Sequence, residues 1–158
     1  MTSPAEPRLR FVVCEDGAEY LERFRRFLGE SFDFLPAHDF DEARTAAADA
    51  DGILLDLDFR RTPADRLVDE QGPAPAPMDA GTRARLAETQ GILILRRLRA
   101  VGVALPAILF ADLDDAGQLD FLARTLAPLT VAGSRLGNAE IAALLRATPR
   151  ATPATKRR

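Results

Sequence analysis

Asp51-Gly-Ile-Leu-Leu-Asp-Leu-Asp58 is the stretch whose reading decides the fold. Ile53, Leu54 and Leu55 form a short, unbroken apolar run, the pattern of a strand covered on both faces. An ionised carboxylate inside such a run would lose water without gaining a partner, so Asp56 is expected where the strand ends. Upstream, Leu9 to Val13 is a similar run that leads into Cys14-Glu15-Asp16. Acids closing two separate strands predict one acidic pocket.

Outward from these strands the chain alternates in period. Ala18 to Leu28 carries Leu21, Phe24 and Leu28 at helical spacing, with Tyr20 and Phe27 widening the stripe. Phe32 to Leu35 is a strand candidate, and Asp39-Phe-Asp-Glu42 has the acid-then-Glu spacing of a helix start before Ala43 to Ala50. Gly52 to Leu57 reads as the third strand. A helix is predicted over Leu86 to Val101 with Leu93, Ile94, Leu98 and Val101 inward, then a strand over Leu105 to Phe110. Leu119, Leu122 and Leu126 mark another helix, Leu129 to Ala132 a fifth strand, and Ile141, Leu144 and Leu145 a last helix. Five strand-helix units imply a doubly wound parallel α/β sheet, because each parallel connection must cross over the sheet.

Two segments interrupt the rhythm. Residues 60–81 hold Pro63, Gly72, Pro73, Pro75, Pro77 and Gly81, which predict a long mobile loop, a flap over the acidic end. Residues 148–158 repeat Ala-Thr-Pro and end in Lys156-Arg157-Arg158, a flexible basic tail. The expected domain therefore spans residues 8–147.

Composition narrows the class. With 158 residues, 47% hydrophobic and net charge −3, the chain is long enough for one buried core and too acidic for broad attraction to nucleic acid. No run approaches the roughly 20 apolar residues of a membrane span, so no membrane association and a cytoplasmic location are expected. Cys14 alone forms no internal disulfide and reads as a small buried strand residue. His38, the only histidine, reads as an exposed loop residue, and Arg96-Arg97-Leu98-Arg99 as a solvated helix face.

Arg10-Phe-Val-Val-Cys-Glu-Asp-Gly-Ala-Glu-Tyr-Leu-Glu-Arg-Phe24 resembles the opening of bacterial response-regulator receiver domains, in which a strand ends in two acids and enters the first helix. Ala50 to Asp58 resembles the family's phosphoacceptor strand. Gly91-Ile-Leu-Ile-Leu-Arg-Arg-Leu-Arg-Ala-Val-Gly102 and Leu105-Pro-Ala-Ile-Leu-Phe-Ala111 resemble its third helix and fourth strand. The resemblance implies a flavodoxin-like (βα)5 fold with strand order 2-1-3-4-5. It also implies Asp56 as phosphoacceptor, with Glu15, Asp16, Asp56 and the backbone carbonyl of Asp58 holding Mg²⁺. Such a cation would offset the repulsion between a carboxylate nucleophile and a phosphoryl group.

The chain also departs from the family. Ala111 stands where a threonine or serine binds the phosphoryl group, Ser134 where a lysine pairs with it, and Val131 where an aromatic switch sits. Arg135, or Arg60, Arg61 and Arg66 from the long loop, are candidates for the missing positive charge. The first functional reading is a stand-alone, non-enzymatic receiver in two-component phosphorelay signalling, phosphorylated by a sensor histidine kinase or phosphotransfer protein. Its effector, or a second copy, would dock through the last two helices and the fifth strand. The alternative is a phosphorylation-independent pseudo-receiver acting as an adaptor. A remote third is a haloacid-dehalogenase-like phosphatase, in which Asp56 would be the nucleophile and Asp58 the general acid.

Overall fold

The computed structural model describes residues 3–151. Its five strands are β1 (Leu9–Cys14), β2 (Phe32–Ala37), β3 (Gly52–Asp56), β4 (Ala107–Phe110) and β5 (Leu129–Ala132). All pair in parallel in the order β2-β1-β3-β4-β5, the order implied by the resemblance. Six helices connect or follow them: α1 (Glu19–Leu28), α2 (Phe40–Ala47), α3 (Ala80–Glu88), α4 (Gln90–Ala100), α5 (Ala116–Thr125) and α6 (Asn138–Arg146). No helix among the described residues is long and apolar enough to cross a membrane.

Side chains alternate across the strands and divide the core into two layers. Phe11, Val13, Leu54, Ile108 and Phe110 pack beneath α1 and α6, against Leu21, Phe24, Leu28, Ile141 and Leu145. Val12, Cys14, Ile53, Leu55 and Leu109 face the other way, beneath α2, α3, α4 and α5. The central strands are covered on both sides, so their sequences read as continuous apolar runs. The register sets Cys14 against Leu55 and Asp56 against Phe110, which brings the ends of β1, β3 and β4 to one edge.

Several expectations change. The helix predicted over Leu86 to Val101 is two helices separated at Thr89, whose backbone (φ −121°, ψ 17°) leaves the helical region. The cause lies next door: the buried Gln90 side chain accepts from the Val68 amide at 2.8 Å and donates to the carbonyls of Val68 and Leu86. Those bonds also tie down the segment expected as a flap over the acidic end. Leu67 and Val68 are buried in the α2–α5 layer, Thr62 is buried, and the segment carries a short 3-10 turn at Ala64–Arg66. Prolines and glycines here shape an irregular path that is packed down beside α2 and α4, and only its first residues reach the acidic edge.

Phe27 does not widen the α1 stripe; it is 57% exposed, while Phe24 is fully buried. Arg99 is not solvated. Its guanidinium donates to the carbonyls of Val103, Leu105, Leu126 and Pro128, closing the loops before β4 and β5. The expected tail is partly held: Thr148 N–H donates to Leu145 and Ala151 N–H to the buried Asp51 carboxylate, which also accepts from Arg10 N–H. Residues 152–158, with the basic end, lie outside the described residues.

Candidate functional site at the carboxyl edge of the sheet

Asp56 is the last residue of the central strand β3, and its side chain is half-buried. Its Oδ1 accepts from the Leu57 amide at 2.8 Å. Burial pushes the carboxyl up to about 6; the Leu57 hydrogen bond opposes this, and the charges of Asp16, Glu15 and Asp58 add to it. The helix α4 begins hard against this point. A Cβ at Gly91 would lie 1.9 Å from the Asp56 carbonyl oxygen, and Gly91 N–H donates to the Leu57 carbonyl, so only glycine lets the helix approach so closely.

Glu15 and Asp16 leave β1 at the same edge and have different work. Glu15 is buried, and its two carboxylate oxygens accept from the Tyr20 and Leu21 amides at 3.0 and 2.9 Å. It thereby satisfies otherwise orphaned donors in the first turn of α1. Burial raises its pKa, with those two amides pulling the other way. Asp16, whose side chain is only 6% exposed, is gripped by Arg61: the Arg61 backbone N–H donates to Oδ2 at 3.0 Å and Nη2 to Oδ1 at 2.9 Å. The same guanidinium spans Glu19, with Nη1 to Oε1 at 2.6 Å and Nη2 to Oε2 at 2.9 Å. That fork holds the Glu19 carboxyl down at about 2.

Asp58 is likewise occupied by its neighbour. Its Oδ1 accepts from Arg60 N–H and its Oδ2 pairs with Arg60 Nε at 2.7 Å. The proposed phosphoryl-binding positions also take other roles. Ala111 is buried and its amide donates to Ala132, while Ser134 donates from its amide (2.9 Å) and hydroxyl (2.5 Å) to Asp112. Those bonds pull Asp112 below the usual carboxylate range. Asp112 is a residue that reading the sequence missed, although it comes just after the apolar strand β4, much as Asp56 closes β3. Val131 is half-buried on β5; the aromatic at this edge is instead Tyr20, stacked on Phe110 at 5.0 Å.

The charge candidates separate in space. Arg60 and Arg61 reach the acidic edge, whereas Arg66 binds Asp39 and Glu42 at the start of α2. Arg135 stands close enough to Asp112 to stabilise its charge. His38 is half-buried beside Glu42, with Nδ1 at 2.9 Å from the carboxylate. A cavity of about 170 Å³ opens between α2, the packed segment and α4, lined by Phe40, Arg66, Leu67, Val68 and Arg97, away from the acids.

A divalent cation does not fit this donor set as it is arranged. Of the expected carboxylate ligands, Glu15 and Asp16 have both oxygens engaged, and no group of three or more His, Cys, Asp or Glu side chains among the described residues is placed to hold a metal. Chemically the edge is a cluster of acids, of which Asp16, Glu19 and Asp58 are paired with two consecutive arginines.

No family model and no curated protein sequence matches the chain. Solved structures do match. The BeF3-activated N-terminal receiver domain of Klebsiella pneumoniae RstA is 20% identical, covering 88% of this chain and 97% of that one at TM-score 0.58. Chemotaxis protein CheY4 of Vibrio cholerae is 11% identical over 90% of this chain and all of its own, at TM-score 0.60. A Rhodopirellula baltica chain described as adenylate cyclase is 12% identical over 95% and 90%, at TM-score 0.58. At such identities the likeness carries architecture and not activity. With its strand order, two-layer core and acidic carboxyl edge, the chain has the fold of the response-regulator receiver domains.

Proposed function

We propose that this chain is a receiver-like signalling module that works through contacts of its surface, without phosphoryl transfer to Asp56. One observation carries this reading. Asp16, one of the acids that the family resemblance assigns to the cation, gives both oxygens to Arg61. The surroundings agree: Ala111 offers no hydroxyl, Ser134 is tied to Asp112, and an incoming phosphoryl anion would meet the charge of Asp112 and those of Asp16 and Asp58, whose arginines are already engaged. This order of preference reverses the one that strand-end acids alone suggest.

The docking surface on this reading comprises α5, β5 and α6, where Phe121 is 49% exposed and Leu129 and Val131 are half-buried. An effector protein or a second copy of the chain would occupy it. A second reading, phosphorylation of Asp56 by a kinase or phosphotransfer protein, is favoured by the position of Asp56 at the end of the central strand, with one oxygen on its neighbour's amide. The phosphatase reading loses support, because Asp58 is paired with Arg60.

Titrating isotope-labelled protein with Mg²⁺ and beryllofluoride, a phosphoryl mimic, separates the first two. The surface reading expects the amides of Asp56, Ala111 and Ser134 to stay where they are. A saturable shift at these amides, lost in Asp56→Asn, would establish the acceptor reading instead.

A further inference from the structure

We infer that Arg61 takes the place of a divalent metal in the acidic pocket, so that its guanidinium is the resident cation and excludes Mg²⁺ from Asp16. The inference rests on the reading of the pocket as closed. Three features of the geometry carry it.

First, Arg61 engages Asp16 twice, by backbone amide and by side chain, so the residue is anchored before its guanidinium is counted. Second, the guanidinium is fixed on its far side by the bidentate pair with Glu19, a planar fork on a planar carboxylate. Third, the path is kept clear by Gly17. A Cβ there would stand 2.5 Å from Arg61 Nη2 and 2.4 Å from Glu19 Oε2, so a side chain at this position would force the ends of this pair to shift. Arg60 does the matching service for Asp58 but touches neither Asp16 nor Glu19. The loop after β3 therefore delivers two positive charges to the edge where the resemblance implies one doubly charged ion.

The competition is electrostatic and positional. Mg²⁺ would have to strip Asp16 of two hydrogen bonds and leave Glu19 as the sole side-chain partner of Arg61. An arginine covalently tethered beside the acid has no dilution cost to overcome, whereas a free ion does.

The wild type, Arg61→Gln, Glu19→Gln and Arg60→Gln test this, with Asp16→Asn added to Arg61→Gln as a control. Mn²⁺ serves as paramagnetic probe, read as broadening of the Asp16, Gly17, Asp56 and Leu57 amides, with Mg²⁺ as diamagnetic competitor. The expected result is no saturable broadening in the wild type or Arg60→Gln. Arg61→Gln should gain about tenfold or more in Mn²⁺ affinity, reversed by Mg²⁺ and abolished by adding Asp16→Asn. Glu19→Gln, which frees the guanidinium from outside the pocket, should gain less; it keeps the test alive if Arg61→Gln does not fold. Saturable wild-type broadening as tight as in Arg61→Gln would overturn the inference, as would no gain in a folded Arg61→Gln or, failing that, in Glu19→Gln. Failure here is separable from failure of the surface reading. Wild type that binds Mg²⁺ without responding to beryllofluoride refutes only the arginine, and wild type that responds to both refutes the closed pocket as well.

Discussion

Replacing Asp56 by Asn should stabilise the protein at neutral pH and do nothing at acid pH. The folded carboxyl is pushed from 3.8 up to about 6, chiefly by burial. The native state therefore holds this proton more tightly than the unfolded chain. Between about pH 4 and 6 the native state binds more protons, so this group's contribution to stability falls as pH rises through that window. The full shift corresponds to about 3 kcal/mol at ~1.4 kcal/mol per unit, but the side chain is far from fully buried, and solvent screening brings the expected gain to about 1–2 kcal/mol. For a chain of this size that is a rise in Tm of roughly 2–8 °C. Asn keeps an oxygen for the Leu57 amide, so the substitution tests charge and not a lost hydrogen bond. Thermal melts in metal-free buffer from pH 4 to 8 should show the two proteins coinciding at the acid end, diverging between about pH 4 and 6, and keeping a constant gap above that. A variant that is destabilised at pH 8, or equally stabilised at every pH, would refute the reasoning.

Other outcomes follow from packing. Gly91→Ala would drive a methyl into the Asp56 carbonyl and should cost about 1–3 kcal/mol in urea unfolding, with the largest amide shifts at Asp56 and Leu57. Gln90→Leu leaves the Val68 amide and carbonyl without their side-chain partner; a loss of about 2 kcal/mol and faster hydrogen exchange over residues 67–74 are expected. Arg99→Ala uncaps four carbonyls and should lower stability by about 2 kcal/mol without altering the acidic edge. Cys14 is fully buried and its thiol pKa is raised, so at pH values where exposed thiols react its alkylation should proceed only as fast as global unfolding exposes it.

The sheet was legible because its central strands are covered on both faces, which writes them as short apolar runs, and because Asp56 could not stay within one. The site was legible as a set of residues but not as an arrangement. Glu15 and Asp16 are neighbours of identical charge, and nothing in their order tells that one binds the amides of α1 while the other meets an arginine forty-five positions away. The segment after β3 misled for a related reason. Proline and glycine report what the backbone cannot do locally, whereas its anchoring comes from Leu67, Val68 and the distant Gln90. Arg99 looked like a solvated residue because helical spacing does not reveal four loop carbonyls converging on its guanidinium. Arg61 stood among four candidate arginines, and only tertiary contact distinguished it from Arg66, which serves the first turn of α2.

A crystal structure of the wild-type chain grown in magnesium and beryllofluoride confronts the account most directly. In it the Arg61 guanidinium should bridge Asp16 and Glu19, with no metal beside Asp56 and no fluoride species on it. A magnesium ion bound to Asp16 and Asp56, with Arg61 swung away and beryllofluoride on the Asp56 carboxylate, would contradict it.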